Sequence, residues 1–313
     1  MNIKELEEYL YTEKSTIDAR KLFLKYIYNG IGNNFNVLNG LFKKAYKKEK
    51  INDLLNEENK TISAKNTINV LNSFDKIRMV DIYEAIFNCT KDIKEAHENY
   101  LNLLKTKCEN KTESIKYIII GEAPPFTFQK DSKVKFINNY ILSKPRAGSW
   151  QTSIRQSFNI PDEKPRAKEP EEFINGLVKN DILFFDIIPV SLPFSTDIRT
   201  GWIKLKINEK PLLVSLLELA IKQNTNFLNI HNDVKVAFIT PPKTSISIFD
   251  YYSDKKLEIK DGISIDIAIN NDKTTKKKYK VSEDIILPMY KANAMMGSNT
   301  PSVDLIKLAL DLK

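Results

Sequence analysis

Four segments of the chain close an apolar run with a loop whose side chains could hold a polar ligand or work on one. They are Gly121-Glu-Ala-Pro-Pro-Phe126, Asp186-Ile-Ile-Pro-Val190, Thr240-Pro-Pro-Lys-Thr244 and Lys291-Ala-Asn-Ala-Met-Met-Gly-Ser-Asn-Thr-Pro301. In the first, Gly121 permits a tight backbone while Pro124 and Pro125 fix φ, so Glu122 stands on a rigid turn. Asp186 is a second carboxylate at the end of a second run. Carboxylates so placed can orient a water, move a proton or stabilise a developing positive charge. Glu122 is the first catalytic candidate and Asp186 the second. Each has a plainer reading. Glu122 is then a solvated loop residue or a helix-end partner, and Asp186 a strand-end carboxylate capping a nearby helix.

The runs that would position these loops are Lys116–Gly121, Asp181–Pro189, Val234–Thr240 and Asp284–Tyr290. Short, nearly continuous and rich in Ile, Val and Phe, they read as strands buried on both faces. Helical segments lie between them, notably Pro211 to Gln223, with Pro211 suited to a first helical turn. Alternating strands and helices predict an α/β fold with a mostly parallel sheet, in which ligands bind beyond the carboxyl ends of the strands. Residues 256–282 read as an insertion, with Ile263–Ile269 and Lys278–Val281 forming a hairpin around Asn270.

Before residue 112 the periodicity is helical. Ile3, Leu6 and Leu10 make one stripe, Leu22, Phe23, Tyr26 and Ile27 another, and Ile93, Ala96, His97, Tyr100 and Leu104 a third. Residues 1–112 are expected to form an all-α N-terminal lobe and residues 113–313 the α/β domain. His97 has no partner legible in the sequence and is assigned no role; His231, just ahead of a strand, reads as structural.

The net charge of +8 favours a polyanionic partner, and the basic stretch Lys273–Lys280 suits phosphate contact or a solvated hairpin tip. Two cysteines, Cys89 and Cys108, give no disulfide framework and no zinc site. No apolar run approaches the roughly 20 residues that span a bilayer, and the amphipathic start is not a signal peptide, so the expected location is cytoplasmic. No P-loop or GxGxxG follows a strand, which argues against an unrelated nucleotide hydrolase or transferase.

The turn Gly121-Glu-Ala-Pro-Pro resembles the first motif of the uracil-DNA glycosylase superfamily, in the GEAPG form of its iron–sulfur-containing branch. Arg146-Ala-Gly-Ser-Trp-Gln-Thr-Ser-Ile154 stands where that branch has a Gly- and aromatic-containing segment opening a helix. Asp186 occupies the position of an Asn that reads the base edge. The final strand, loop and C-terminal helix follow in the same order, with Thr300 as N-cap and Pro301 after it. The likeness covers roughly residues 113–313. It implies a three-layer, mostly parallel sheet and a DNA glycosylase that flips a base and hydrolyses its N-glycosidic bond, leaving an abasic site.

It also implies a site. Gly121, Ala123, Pro124, Phe126, Trp150 and Asn293 would surround the base, with Phe126 or Trp150 stacking on it. Lys144, Arg146 and Lys243 would meet phosphates, and Ser298 and Asn299 would act as donors in the last loop. Met295 and Met296 would wedge the duplex or else pack under the last helix. Three departures matter. The cluster needs four cysteines, so no cofactor is expected; Ala123 replaces a water-positioning Asp or Asn; and the last loop has no histidine. An ionised Asp186 could only accept, which favours cytosine or a modified, amino-bearing base over uracil. The alternative is a catalytically silent DNA-binding module with the same fold. A partner other than DNA would be a protein bound through the N-terminal lobe.

Overall fold

The computed structural model describes residues 3–11, 79–109, 113–124, 126–128, 136–138, 140–145, 147–189, 205–207, 209–240, 242–266, 268–270, 287–290, 293–294 and 303–312. In chain order the elements are helices α1 (Ile3–Tyr11) and α2 (Met79–Cys108), strands β1 (Ile115–Gly121), β2 (Phe126–Phe128) and β3 (Phe136–Asn138), and helices α3 (Ser149–Ser157) and α4 (Glu171–Lys179). Strand β4 (Ile182–Asp186), helix α5 (Leu212–Thr225), strand β5 (Ile230–Ile239) and helix α6 (Pro242–Tyr252) follow. The chain continues through β6 (Lys256–Lys260), β7 (Ile263–Asp266), β8 (Ala268–Asn270), β9 (Leu287–Tyr290) and α7 (Val303–Ala309).

Three of the four apolar runs form one parallel sheet in the order β4-β1-β5. Ile119 pairs with Phe184 on one side and Ala237 on the other, and Gly121 with Asp186 and Ile239. Ile118, Ile119 and Ile120 are fully buried because helices cover both faces. On one face Phe158, at the end of α3, meets Tyr117 edge-on at 5.3 Å; on the other Phe249 of α6 meets Phe238 at 5.8 Å. Helix α5 is apolar nearly all round and buries Leu212, Leu213, Val214, Leu216 and Leu217 completely, as an interior helix must. Pro211 caps it, one residue ahead of the first turn.

The boundary near residue 112 falls in the link between α2 and β1, and packing runs across it. Leu10 of α1 and Ile93, Tyr100 and Leu104 of α2 belong to the same buried core as the sheet. Among the described residues β4 is an edge strand, and α2 covers that edge. The Tyr100 hydroxyl donates to the Ile182 carbonyl and accepts the Phe184 amide at 3.2 Å, satisfying backbone groups on the side of β4 away from β1.

One expectation is corrected, and another is met in part. Within the expected insertion β7 turns back on β6, pairing Leu257 with Ile265; the expected partner of residues 263–269, residues 278–281, lies outside the described residues. The cause is Asp261-Gly262, a strong hairpin dipeptide, with Gly262 at φ +76°. The fourth run does not extend the parallel sheet. Its described part, β9, pairs antiparallel with β8, Ala268 opposite Met289, and with residues 293–294. Pro288 has no N–H for a ladder and suits a buried central strand of a parallel sheet poorly.

Candidate active site

The carboxyl ends of β1 and β4 run on together beyond the sheet. The Ile187 amide donates to the Gly121 carbonyl at 2.9 Å and the Ile188 amide to the Glu122 carbonyl at 3.0 Å. This zipped pair of loops brings Gly121, Glu122, Ala123, Pro124 and Asp186 to one place. Gly121 is required there: a Cβ on it would lie 1.9 Å from Asp186 Oδ1. The Asp186 carboxyl therefore lies directly over the Gly121 backbone, in space that only glycine leaves open.

The two carboxyl groups have different surroundings. Glu122 is 6% exposed, and its Oε1 accepts the Thr244 hydroxyl at 2.5 Å. Thr244 and Ser245 are fully buried in the first turn of α6, where the helix dipole favours negative charge. The helix-end partner foreseen as the plainer reading of Glu122 is thus its observed geometry. Asp186 is 8% exposed and borders a cavity of about 180 Å³. Burial drives its pKa well above the usual carboxylate range, and the negative charge of Glu122 adds to the effect.

The cavity lies between the strand ends and three helices. Leu10 and Tyr11 come from α1, Ile93, His97 and Leu101 from α2, Asn224 from α5, and Pro124, Tyr140 and Phe185 complete most of the wall. Much of the polar lining is self-satisfied. Asn224 Nδ2 donates to the Ala220 carbonyl at 2.8 Å, which turns its Oδ1 towards His97 Nε2 at 2.6 Å. His97 Nε2 therefore carries the proton, and Nδ1, 3.1 Å from the Tyr140 hydroxyl, accepts. Burial lowers the His97 pKa against the opposing pull of Asn224, so the ring is neutral at physiological pH. Tyr11 differs: among the described residues its buried hydroxyl has no hydrogen-bond partner. Burial raises its pKa, with the Asp186 charge second.

The other sequence candidates scatter. Ala123 is half-buried against the core. Trp150, in the first turn of α3, also packs half-buried on the core and is not part of the cavity wall, whose aromatic surfaces come from Tyr11, Tyr140 and Phe185. Lys144 is exposed on a turn, where its carbonyl accepts Gln151 Nε2 at 2.8 Å. Phe126 opens β2, Lys243 lies in α6 and Asn293 in the two-residue strand 293–294, but their side chains lie outside the described residues. Arg146, Met295, Met296, Ser298 and Asn299 lie outside them entirely. His231 is exposed at the amino end of β5, where its Nδ1 accepts the Asp233 amide at 3.1 Å.

Sequence reasoning missed Tyr11, Tyr140 and Asn224 and left His97 without a role. The one available signal was the helical stripe carrying His97 beside Tyr100. Among the described residues no group of three His, Cys, Asp or Glu side chains could hold a metal ion, and no helix is long and apolar enough to cross a membrane. Compared with protein-family models, with curated proteins and with solved structures, the chain matches none.

Proposed function

We propose that the protein is a DNA glycosylase, with the three-layer fold of the uracil-DNA glycosylase type, acting on a flipped base of cytosine type or a modified form of it. The observation that carries this reading is the pair of buried carboxyl groups at the ends of adjacent parallel strands, one of them bordering a ring-sized cavity. The sheet reverses chain order at β1, and its carboxyl end is where open α/β sheets bind ligands.

Breaking an N-glycosidic bond leaves positive charge on the sugar and negative charge on the base. Burial favours the protonated form of Asp186, a donor able to hydrogen-bond or protonate the departing base, a task otherwise lacking a histidine in the last loop. The negative charge at Glu122, steadied by Thr244 and the α6 N-terminus, opposes the charge that develops on the sugar. Two carboxyl groups in unlike surroundings suit the usual division into acid and base. Protonated, Asp186 offers O–H and C=O side by side. Cytosine matches through N3 and its amine, and uracil through O4 and N3–H, so preference for the amine grows as Asp186 ionises.

Purified protein incubated with labelled oligonucleotides carrying uracil, cytosine and modified cytosines, then treated with alkali, tests the reading. Strand breaks should appear at a cytosine-type base and fall about 10²–10³-fold in Glu122→Ala, the loss typical of one charge-stabilising group. Asp186→Leu should abolish them, whereas Asp186→Asn should keep base binding and lose rate. Breaks at uracil alone would remove the cytosine assignment. A second reading draws on the engagement of Glu122 by Thr244 and on Ala123 at the water-positioning place: a silent DNA-binding module. No breaks on any substrate, with salt-sensitive DNA binding retained, would establish it.

A further inference from the structure

The helices around Asp186 are not held with equal strength. Helix α2 is fixed to the sheet: Tyr100 and Leu104 are fully buried, and the Tyr100 hydroxyl is bonded to β4. Helix α1 has nine residues, too few for a stable helix on its own, so it is helical only while docked. Among its described side chains only Leu10 is buried. Glu7 Oε1 accepts Gln223 Nε2 of α5 at 2.6 Å and lies 3.6 Å from Lys222 Nζ. The lysine is largely exposed, so that ion pair is weak and screened by salt. Tyr11 opposes docking, because its hydroxyl is buried without a hydrogen-bond partner only while α1 is seated.

The charge of α1 is also opposite to that of the chain. Ile3–Tyr11 carries three glutamates and one lysine, in a chain of net charge +8. Leu10 and Tyr11 line the same recess as Asp186 and Gln223, and Lys222 is the next residue along α5. A polyanion arriving at the carboxyl ends of the strands therefore repels α1 and competes with Glu7 for Lys222.

We infer that α1 is an autoinhibitory strap: docked, it occupies one side of the recess beside Asp186, and the phosphates of a DNA strand displace it. Helices α2 and α5 stay in place and keep the rest of the wall. The inference rests on the glycosylase reading in taking the polyanion to be DNA, and it adds to that reading a regulation of the site by the chain's own acidic helix.

Hydrogen exchange of the full chain, read by mass spectrometry with and without a mixed-sequence duplex oligonucleotide, tests it. With DNA bound, the amides of α1 should exchange about tenfold faster while those of β1 and β4 stay protected. Leu10→Ala changes no charge. It should free α1 without DNA and bind the duplex about tenfold more tightly, since the open state no longer has to be drawn from the docked one. Protected β1 and β4 amides would show that this variant is folded. Tyr11→Phe removes the orphan hydroxyl and should act in the opposite direction, slowing α1 exchange and weakening DNA binding. Slower or unchanged α1 exchange on adding DNA, a folded Leu10→Ala that binds no more tightly, a Tyr11→Phe identical to wild type, or no DNA binding by any of the three proteins would each overturn the inference. Base release measured in parallel keeps the two readings apart. Release of α1 by DNA without abasic sites would uphold the strap and end the enzyme reading. Base release while α1 stays protected would do the reverse.

Discussion

Glu122 and Asp186 end adjacent strands of one sheet and are almost equally buried, yet one sits in a polar corner and the other against a ring-sized cavity. The turn after β1 meets the first residues of α6, where a hydroxyl and a helix N-terminus receive a negative charge. The end of β4 meets Leu10 and Tyr11 of α1, Ile93 and Leu101 of α2 and Asn224 of α5, and there burial drives the carboxyl's pKa well above the usual carboxylate range. The same chemical group is given two characters by what packs around it. The helices ahead of the α/β part are therefore not an appendage to the site, because they supply the environment that makes Asp186 unlike Glu122.

The largest effect should come from forcing the two regions together at their shared residue. In Gly121→Ala the new Cβ would stand 1.9 Å from Asp186 Oδ1 and 3.1 Å from its Cγ, so the carboxyl must swing away from the backbone it covers. We expect a loss of about 1–3 kcal/mol of stability, as for other overpacked interiors, together with loss of ring binding. Denaturant unfolding and an NMR titration with free cytosine measure both. A variant with unchanged stability and binding would show that the Asp186 position is not fixed by Gly121, and the contrast would lose its structural basis.

A somewhat smaller effect should follow from altering the polar corner alone. Thr244→Val removes the hydroxyl that reaches Glu122 while keeping the shape of the side chain. Hydrogen bonds to charged groups contribute about 1.5–3 kcal/mol, and the N-terminus of α6 remains to offset part of the loss, so we expect about 1.5 kcal/mol by denaturant unfolding. Ring binding in the cavity should be unaffected. If binding weakened as much as in Gly121→Ala, the two regions would be one coupled unit.

The two regions also differed in how far the sequence betrayed them. The strands β1, β4 and β5 were legible because a strand buried on both faces must be apolar at every position, and Gly121-Glu122 stood out because glycine and proline fix a turn locally. Asp186 was legible for the same reason, as the first carboxylate after such a run. The cavity wall offered no local signal. Tyr140 lies 43 residues from His97, and Asn224 lies 127 residues away. Neither pairing can be inferred until the helices are docked. The hairpin at Asp261-Gly262 is a different case: a local signal that was present and was passed over for the polar run after Asn270. The misplaced fourth strand came from reading an apolar run as sufficient for the parallel sheet, when Pro288 argued against it.

The smallest effect, and the most specific to the contrast, is in the pH dependence of stability. The folded pKa of Asp186 is raised above its ordinary value of 3.8, so between those two values the folded protein binds more protons than the unfolded chain. Its contribution is fully present below about pH 4 and is lost as pH rises through the folded pKa. His97 acts with the opposite slope: its folded pKa is lowered from 6.5, so its contribution is present above that value and is lost as pH falls through the folded pKa. Asp186→Asn removes the first trend and keeps the second. Thermal unfolding of both proteins from about pH 4 to about pH 8 should show a difference in Tm that grows in favour of the Asp186→Asn variant as pH rises. In the wild type the two trends oppose each other, so its own curve should be the flatter on the acid side and the lower on the alkaline side. A difference that stays constant with pH would mean that Asp186 is ionised throughout, like a carboxylate in the polar corner. The distinction between the two strand ends would then rest on shape alone, and proton donation to a departing base would have to come from another group on the cavity wall.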